Sequence, residues 1–191
     1  ADVYLELLAA LAIAATHQSQ LGQDFEIYAS QEFGLVELTD AHSRASALMP
    51  QKKNPYALAA IRTHAGQAAG DVASALAALH TGSARTDHFH LLNGTVPRAL
   101  DEAVAIARLT ASMLDGIELR TERFARVARE SFVTAADVAD VLALTGDIDY
   151  RSAHTIVGLA VRDLVDAGEP SSQLTPDRLA AASVAALERP V

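Results

Sequence analysis

Apolar residues recur at intervals of three and four along most of this chain, which is the spacing of a helix face and not of a strand. Residues 3–28 form the first such segment. Its first half is apolar nearly all round, and a helix of that kind is usually covered by neighbouring helices on most sides. The pattern therefore predicts an initial bundle helix and an all-α fold.

The next two helical segments carry signals for where they begin or break. Asn54 is a suitable N-cap and Pro55 fits the first helical position, so a second helix is predicted from there to about residue 80. Gly66 and Gly70 within it permit the close approach of another helix. A third segment covers residues 96–129, and Gly116 marks a position where we expect a bend or an interruption.

Two polar stretches separate these helices, and shorter amphipathic segments follow them. Residues 31–53 and 81–94 are predicted to be loops, and long loops in helical proteins are often functional. We predict the later helices of a long helical bundle in residues 1–128 and a small helical C-terminal domain in residues 129–191. Brief helices are expected in that domain at residues 134–144, 150–167 and 175–187.

Composition and charge exclude several classes of protein. Half of the 191 residues are apolar, which is enough for a packed core, yet no apolar run reaches the ~20 residues that a bilayer span needs. We therefore expect no membrane association and a cytoplasmic location. A net charge of −9 argues against a nucleic-acid partner, and the absence of cysteine leaves no thiolate nucleophile or cysteine metal site. An anionic substrate would need a local cluster of positive groups.

Such a cluster lies in residues 45–55, A-S-A-L-M-P-Q-K-K-N-P, which we call the motif segment. It places a hydroxyl on Ser46, ammonium groups on Lys52 and Lys53 and a carboxamide on Asn54, just before a predicted helix start. The N-terminus of a helix favours anions because its free N–H groups and its dipole both face the approaching charge. Taken alone, these residues also fit an ordinary lysine-rich surface turn in which Asn54 only caps the helix.

The motif segment is similar to the loop written G-S-S-x-M-P-x-K-x-N in the superfamily of fumarase, aspartase, adenylosuccinate lyase and argininosuccinate lyase. Its M-P-Q-K-K-N-P form resembles the argininosuccinate lyase branch. The stretch S-Q-E-F-G at residues 30–34, the pair Ile61 and Arg62, and residues 134–154 resemble the same branch. The resemblance extends over nearly the whole chain.

The resemblance implies a carbon–nitrogen or similar lyase that performs β-elimination on a succinate-type anion and usually releases fumarate. At the matching positions, Ser46 would be the base, and Lys52 and Asn54 would stabilise the carbanion. We add as candidate substrate-binding residues Met49, Gln51, Lys53, His42, Thr86 and His88. No cofactor is implied. His88 and His90 could suggest a metal, but without a third ligand a substrate loop is the better interpretation.

Several positions depart from the family pattern. Ala45 and Ala47 replace the glycine and the second serine of the motif, and Ala59 replaces a glutamate that orients the acid histidine in family members. In argininosuccinate lyases the loop after this helix carries residues for the distal part of the substrate, and the aligned residues here are Thr86, Leu91 and Gly94. We therefore expect a succinate-type substrate other than argininosuccinate.

The chain is also much shorter than family members, which carry the acid histidine in an N-terminal part. We expect those groups from a second polypeptide in a tetramer-like assembly, although a cleaved precursor or a fragment would give the same short chain. The alternative function is a catalytically inactive scaffold or regulatory subunit of such an assembly, for which Ala59 is the motivation.

Overall fold

The fold is that of a computed structural model, which describes residues 2–49, 51–80, 87–90 and 92–187. The described residues are predominantly helical, which confirms the predicted all-α class. Contacts divide the chain into two compact units, Ala1–Arg120 and Thr121–Val191. This division lies at the start of a helix, whereas the sequence placed the domain boundary after residue 128, and that boundary stays a prediction.

The first unit contains three long helices: α1 (Asp2–Tyr28), α2 (Tyr56–Leu79) and α4 (Leu92–Gly116), with the short helix α3 (Asp87–His90) before the last. Helix α1 packs along α2, and both contact α4. The first predicted helix is confirmed nearly to the residue. The third predicted helix ends at Gly116, as the glycine indicated, and continues only after a break.

Two apolar clusters hold these helices together. The cluster at one end is built on Leu8, Ala75, Leu92, Val96 and Ala99, and the other on Leu38, Ala57, Leu58, Ile61 and Met113. The close approach of α1 to α2 lies at Gly22, where an added Cβ would be 3.3 Å from Arg62 Cγ. At Gly66 and Gly70, which the sequence suggested for this role, no described atom lies within 4 Å of an added Cβ, so neither glycine is the point of close approach within this chain.

Two small antiparallel strand pairs are formed by segments outside the long helices. Strand β1 (Val36–Glu37) pairs with β4 (Glu118–Leu119), with Glu37 opposite Glu118. Strand β2 (Arg44–Ala45) pairs with β3 (Lys53–Asn54), with Ala45 opposite Lys53. The predicted loop at residues 31–53 is therefore irregular for most of its length, and the pairings of β1 with β4 and of β2 with β3 hold it at two places.

The second unit is a group of shorter helices: α5 (Thr121–Glu130), α6 (Ala135–Thr145), α7 (Tyr150–Asp166) and α8 (Pro176–Leu187). Its core is centred on Ile156, Ala160 and Ala182. The last three of these helices agree with the predicted ones within one or two residues. Asp149 caps α7 by accepting a hydrogen bond from the Ser152 amide at 3.0 Å.

Two local predictions were wrong. Asn54 does not cap α2, because its backbone is extended and paired with Arg44, and the helix begins one residue later than predicted, after Pro55. Residues 87–90 and 92–94, predicted as loop, are helical, since they form α3 and the first turn of α4. Among the helices of the described ranges, none combines the length and the apolar character needed to cross a bilayer.

Candidate active site

Most of the motif segment belongs to a hairpin, described at residues 44–49 and 51–54, which we call the motif hairpin. Its strands are β2 and β3, and the Ser46 amide donates a hydrogen bond to the Lys52 carbonyl oxygen at 3.1 Å. Inside the tip, the Lys52 amide donates to the carbonyl oxygen of Met49 at 3.0 Å. These bonds hold Ser46 and Lys52 at the two ends of one tight turn.

The Ser46 hydroxyl faces into that turn. Its Oγ accepts hydrogen bonds from the backbone amides of Met49, at 3.1 Å, and Leu48, at 3.3 Å, and the residue is half-buried. Two N–H donors directed at one oxygen favour its negatively charged form over the neutral hydroxyl. Both donors belong to the next three residues of the chain, so the hydroxyl also orders the turn.

The other predicted residues of the tip face outward. Lys52 and Gln51 are exposed, and Met49 is 42% exposed. The Lys52 ammonium makes no ion pair with any residue that the structure describes. Asn54 is half-buried in β3 opposite Arg44, whose guanidinium lies 4.6 Å from the centre of the Tyr56 ring at the start of α2. Among the described residues, the tip therefore presents one cation without an ion-pair partner, on the residue whose carbonyl oxygen bonds the Ser46 amide.

Lys53 is held differently from Lys52. Its Nζ lies 2.6 Å from Asp40 Oδ1 and 3.6 Å from Glu37 Oε1, while the second oxygen of Glu37 accepts a hydrogen bond from Arg120. The hydrogen bond from Arg120, followed by the charges of Arg120 and Lys53, lowers the pKa of Glu37. Pairing with Asp40 raises the pKa of Lys53, and the same contact lowers the pKa of Asp40. Ion pairs among these four side chains thus connect Lys53 on β3 to Glu37 on β1, and Glu37 to Arg120, which follows β4.

His42 lies just before the motif hairpin and contacts helix α4. Its Nδ1 lies 2.8 Å from Thr39 Oγ1 and its Nε2 lies 3.1 Å from Ser112 Oγ, so both ring nitrogens have hydroxyl partners. The backbone of Gly116 lies close beside the imidazole, since a Cβ added there would be 3.5 Å from His42 Cε1. The imidazole therefore contributes to the packing of this loop against the helix.

The remaining predicted residues belong to the second loop. Thr86 lies outside the residues that the structure describes, and the backbone at His88 belongs to α3. Across the described ranges there is no group of three or more metal-ligating side chains.

Sequence reasoning missed Glu37 and Asp40, which pair with Lys53 of the motif hairpin, Arg120, which pairs with Glu37, and Ser112, the partner of His42. Glu37 and Arg120 are 83 positions apart, and Ser112 is 70 positions from His42, so no local spacing could have connected them. A further observation concerns Ala59, which lines an open groove of about 440 Å³ between α2 and α4. Its methyl group offers no hydrogen-bonding atom to that groove.

Comparison with known proteins identifies the class of this fold. Residues 1–70 match the family model described as lyase, and residues 132–190 match the one described as argininosuccinate lyase C-terminal. Argininosuccinate lyase of Thermus thermophilus is 38% identical over 184 residues, which are 94% of this chain and 39% of the relative. The enzyme of the same name from Symbiobacterium thermophilum is 34% identical, with coverage of 95% of this chain and 40% of the relative.

Among solved structures, EDDS lyase in complex with formate is similar over 100% of this chain and 38% of its own, with 26% identity and a TM-score of 0.88. A variant of EDDS lyase with bound fumarate gives the same values. The chain belongs to the fumarase and aspartase superfamily and is argininosuccinate lyase-like, corresponding to the C-terminal part of a family chain. It spans about 40% of the length of the curated relatives that it matches.

Proposed function

We propose that this chain supplies the motif hairpin to the active site of a carbon–nitrogen lyase that performs β-elimination on a succinate-type substrate. The observation that carries the proposal is the environment of Ser46, whose Oγ accepts two backbone amide hydrogens at 3.1 and 3.3 Å. Its neighbour across the turn is an exposed Lys52 whose ammonium is available to an anion. The family membership gives this pair its chemical context.

In the proposed reaction the Ser46 alkoxide removes the proton from the carbon next to a substrate carboxylate. The electron pair of that C–H bond moves into the carboxylate, which then carries two negative charges, and the Lys52 ammonium and the Asn54 carboxamide stabilise them. When the electron pair returns to form the C=C bond, the C–N bond breaks and its electrons leave with the amine. Fixed positive and hydrogen-bonding groups aimed at developing charge usually make the largest contribution to such a step.

Within this proposal the substrate carboxylates contact the exposed tip of the motif hairpin, where Met49 and Gln51 lie beside Lys52. Thr86, His88 and His42 are proposed as secondary contacts, with His42 acting through the loop that it holds. The leaving amine needs a proton donor, which we assign to residues outside this sequence, on a second polypeptide or another part of a longer chain. EDDS lyase, with fumarate bound in one variant, supports a fumarate-releasing reaction for this chain too.

We further propose a tetramer-like assembly. Several large apolar side chains of the long helices remain exposed in the isolated chain, including Val3 at 73%, Ile13 at 60% and Leu76 at 55%. Large apolar side chains exposed on long bundle helices favour association, because burying them against a neighbouring subunit removes apolar surface from water. Neighbouring subunits would cover these faces.

The test uses the complete assembly purified from its own source, with all companion chains identified by mass spectrometry. Fumarate formation, followed by its ultraviolet absorbance, is measured with argininosuccinate and with a series of N-substituted aspartates. We expect release from one of the other N-substituted aspartates and loss of release in Ser46→Ala and in Lys52→Met. Ser43→Ala is the matched control, since Ser43 lies in the same loop outside the hairpin.

A failure can take two forms. If Ser46→Ala leaves turnover unchanged, Ser46 is not the base and the mechanism is wrong. If the assembly is stable but releases no fumarate from any of these substrates, the chain is an inactive scaffold, an outcome for which the lack of a carboxylate at Ala59 gives a specific reason.

A further inference from the structure

We propose that Lys53 positions the motif hairpin by joining it through Glu37 to Arg120, and that Lys53 does not itself contact the substrate. This inference rests on the function proposed above and assigns different roles to the two adjacent lysines of the motif. Lys52 is the cation offered to the substrate. Lys53 is the cation that fixes where Lys52 and Ser46 lie.

The contacts of Lys53 are directed away from the tip. Its ammonium is 2.6 Å from Asp40 and 3.6 Å from Glu37, so two carboxylates already surround the charge. The charge of Lys53 is therefore already compensated, whereas that of Lys52 has no such partner among the described residues. Lys52, the residue before β3, shares neither of these contacts and is exposed.

The ion pair between Lys53 and Glu37 is part of a larger network. One of its oxygens faces Lys53 and the other accepts from Arg120, so one carboxylate is shared by cations from two distant segments. Glu37 also lies on β1, directly opposite Glu118 of β4. The hairpin is therefore tied to a two-strand ribbon that is itself held by backbone hydrogen bonds.

The position of Lys53 in the hairpin explains how its ion pair with Glu37 affects Ser46 and Lys52. Lys53 pairs with Ala45, and the next bond along the hairpin is the one from the Ser46 amide to the Lys52 carbonyl. Freeing Lys53 would let the end of β3 move and so change the distance between the Ser46 hydroxyl and the Lys52 ammonium. Small displacements of reacting groups lower rates strongly, whereas exposed ion pairs add little to the stability of the whole protein.

The test is a double-mutant cycle in the complete assembly, with Lys53→Met, Glu37→Gln and both together, and with Glu6→Gln on the exposed face of α1 as the matched control. We expect each single variant to lower kcat/KM by about tenfold to a hundredfold, with most of the loss in kcat. The double variant should be no worse than the poorer single one, because both changes break the same connection. Lys53→Arg should retain most of the activity.

The opposite pattern would overturn the inference. If Lys53 binds substrate, Lys53→Met raises KM, Glu37→Gln removes only one of its two carboxylate partners and leaves KM unchanged or lower, and the losses in the double variant multiply. These results would still require turnover that depends on Ser46, so they are distinct from a failure of the proposed function. An assembly with no Ser46-dependent turnover would overturn both proposals.

Amide hydrogen exchange provides a second readout that does not depend on activity. The Ser46 amide is protected by its bond to the Lys52 carbonyl. We expect faster exchange at that amide in Lys53→Met and in Glu37→Gln, and no change in Glu6→Gln. Unchanged exchange in the first two variants would contradict a positioning role, whatever the kinetics show.

Discussion

The backbone amide of Ser46 donates a hydrogen bond to the carbonyl oxygen of Lys52 at 3.1 Å, which closes the turn of the motif hairpin. The proposed base and the proposed stabilising cation are thus linked through the main chain and not through their side chains. Replacing either side chain leaves this bond available. Variants at the two positions can therefore report on chemistry with this main-chain bond still in place.

The first prediction concerns the order of the hairpin tip in Ser46→Ala. The Ser46 hydroxyl oxygen is the acceptor for the amides of Leu48 and Met49, and alanine removes it. We expect hydrogen exchange at these two amides to become faster, while the amide of residue 46 stays protected by Lys52. Measuring exchange by nuclear magnetic resonance residue by residue would distinguish these sites.

Ser43→Ala provides the comparison for this experiment, because Ser43 precedes the hairpin and its amide bonds to Asp40. It should leave the Leu48 and Met49 amides unchanged. If Ser46→Ala does not alter exchange at residues 48 and 49, the hydroxyl does not order the tip. The proposed role of Ser46 as a base would then lose its structural support.

The long helices were predictable from the sequence because their apolar spacing persists over many turns. Helix α1 and the end of α4 at Gly116 were recovered for this reason. The start of α2 was missed by one residue because Asn54 is engaged in strand pairing with Arg44, a partner on the other side of the turn. Capping rules consider only the local chain and cannot register such pairing.

The candidate site was predictable only where its residues are adjacent in sequence. Ser46, Lys52 and Asn54 were found through one continuous motif, and the hairpin brings the first two together. The contact between Glu37 and Arg120 depends on the pairing of β1 with β4 across 83 positions. Nothing in either local sequence indicates that pairing, so the electrostatic connection of Lys53 had to come from the structure.

The second prediction compares the same substitution at two helical glycines. At Gly22 even a Cβ would lie 3.3 Å from Arg62 Cγ and 3.7 Å from Ile61 Cγ2, so Gly22→Leu should separate α1 from α2. We expect a loss of about 1 to 3 kcal/mol in the free energy of unfolding, measured by urea denaturation.

Gly66→Leu is the matched control for this change. No described atom lies within 4 Å of a Cβ at Gly66, so the better helix propensity of leucine should leave stability unchanged or raise it by up to about 1 kcal/mol. Equal losses at the two positions would show that Gly22 is not the point of closest approach.

The third prediction tests the bridge from His42 to α4. His42→Ala removes hydrogen bonds to Thr39 and Ser112, and we expect a loss of about 1 to 2 kcal/mol in the free energy of unfolding. Ser112→Ala should lose about half as much, and the double variant should lose no more than His42→Ala alone. His17→Ala, at an exposed position of α1, is the control and should not be destabilising. Fully additive losses would contradict a direct contact between His42 and Ser112.

The fourth prediction concerns Asp149 and pH. Hydrogen bonds from the Ser152 hydroxyl, at 2.7 Å, and then from the Ser152 amide lower the pKa of Asp149 below its ordinary value of 3.8. The folded state therefore prefers the carboxylate, and the stabilisation is fully present above that ordinary value. It is lost as the pH falls through the lower folded-state pKa. Asp149→Ala should accordingly reduce Tm by a few degrees at pH 7, and the difference from the parent protein should shrink near pH 3.

Two further variants make this pH experiment specific to the helix cap. Asp149→Asn keeps an N-cap acceptor but cannot titrate, so it should retain most of the stability at pH 7 and lose less than the parent protein on acidification. Asp140→Ala removes an exposed carboxylate from α6 and should show no comparable change with pH. If the parent protein and Asp149→Ala differ by the same Tm at pH 7 and at pH 3, the cap does not act through the charge of Asp149. The α7 N-terminus would then depend on the shape of the turn alone.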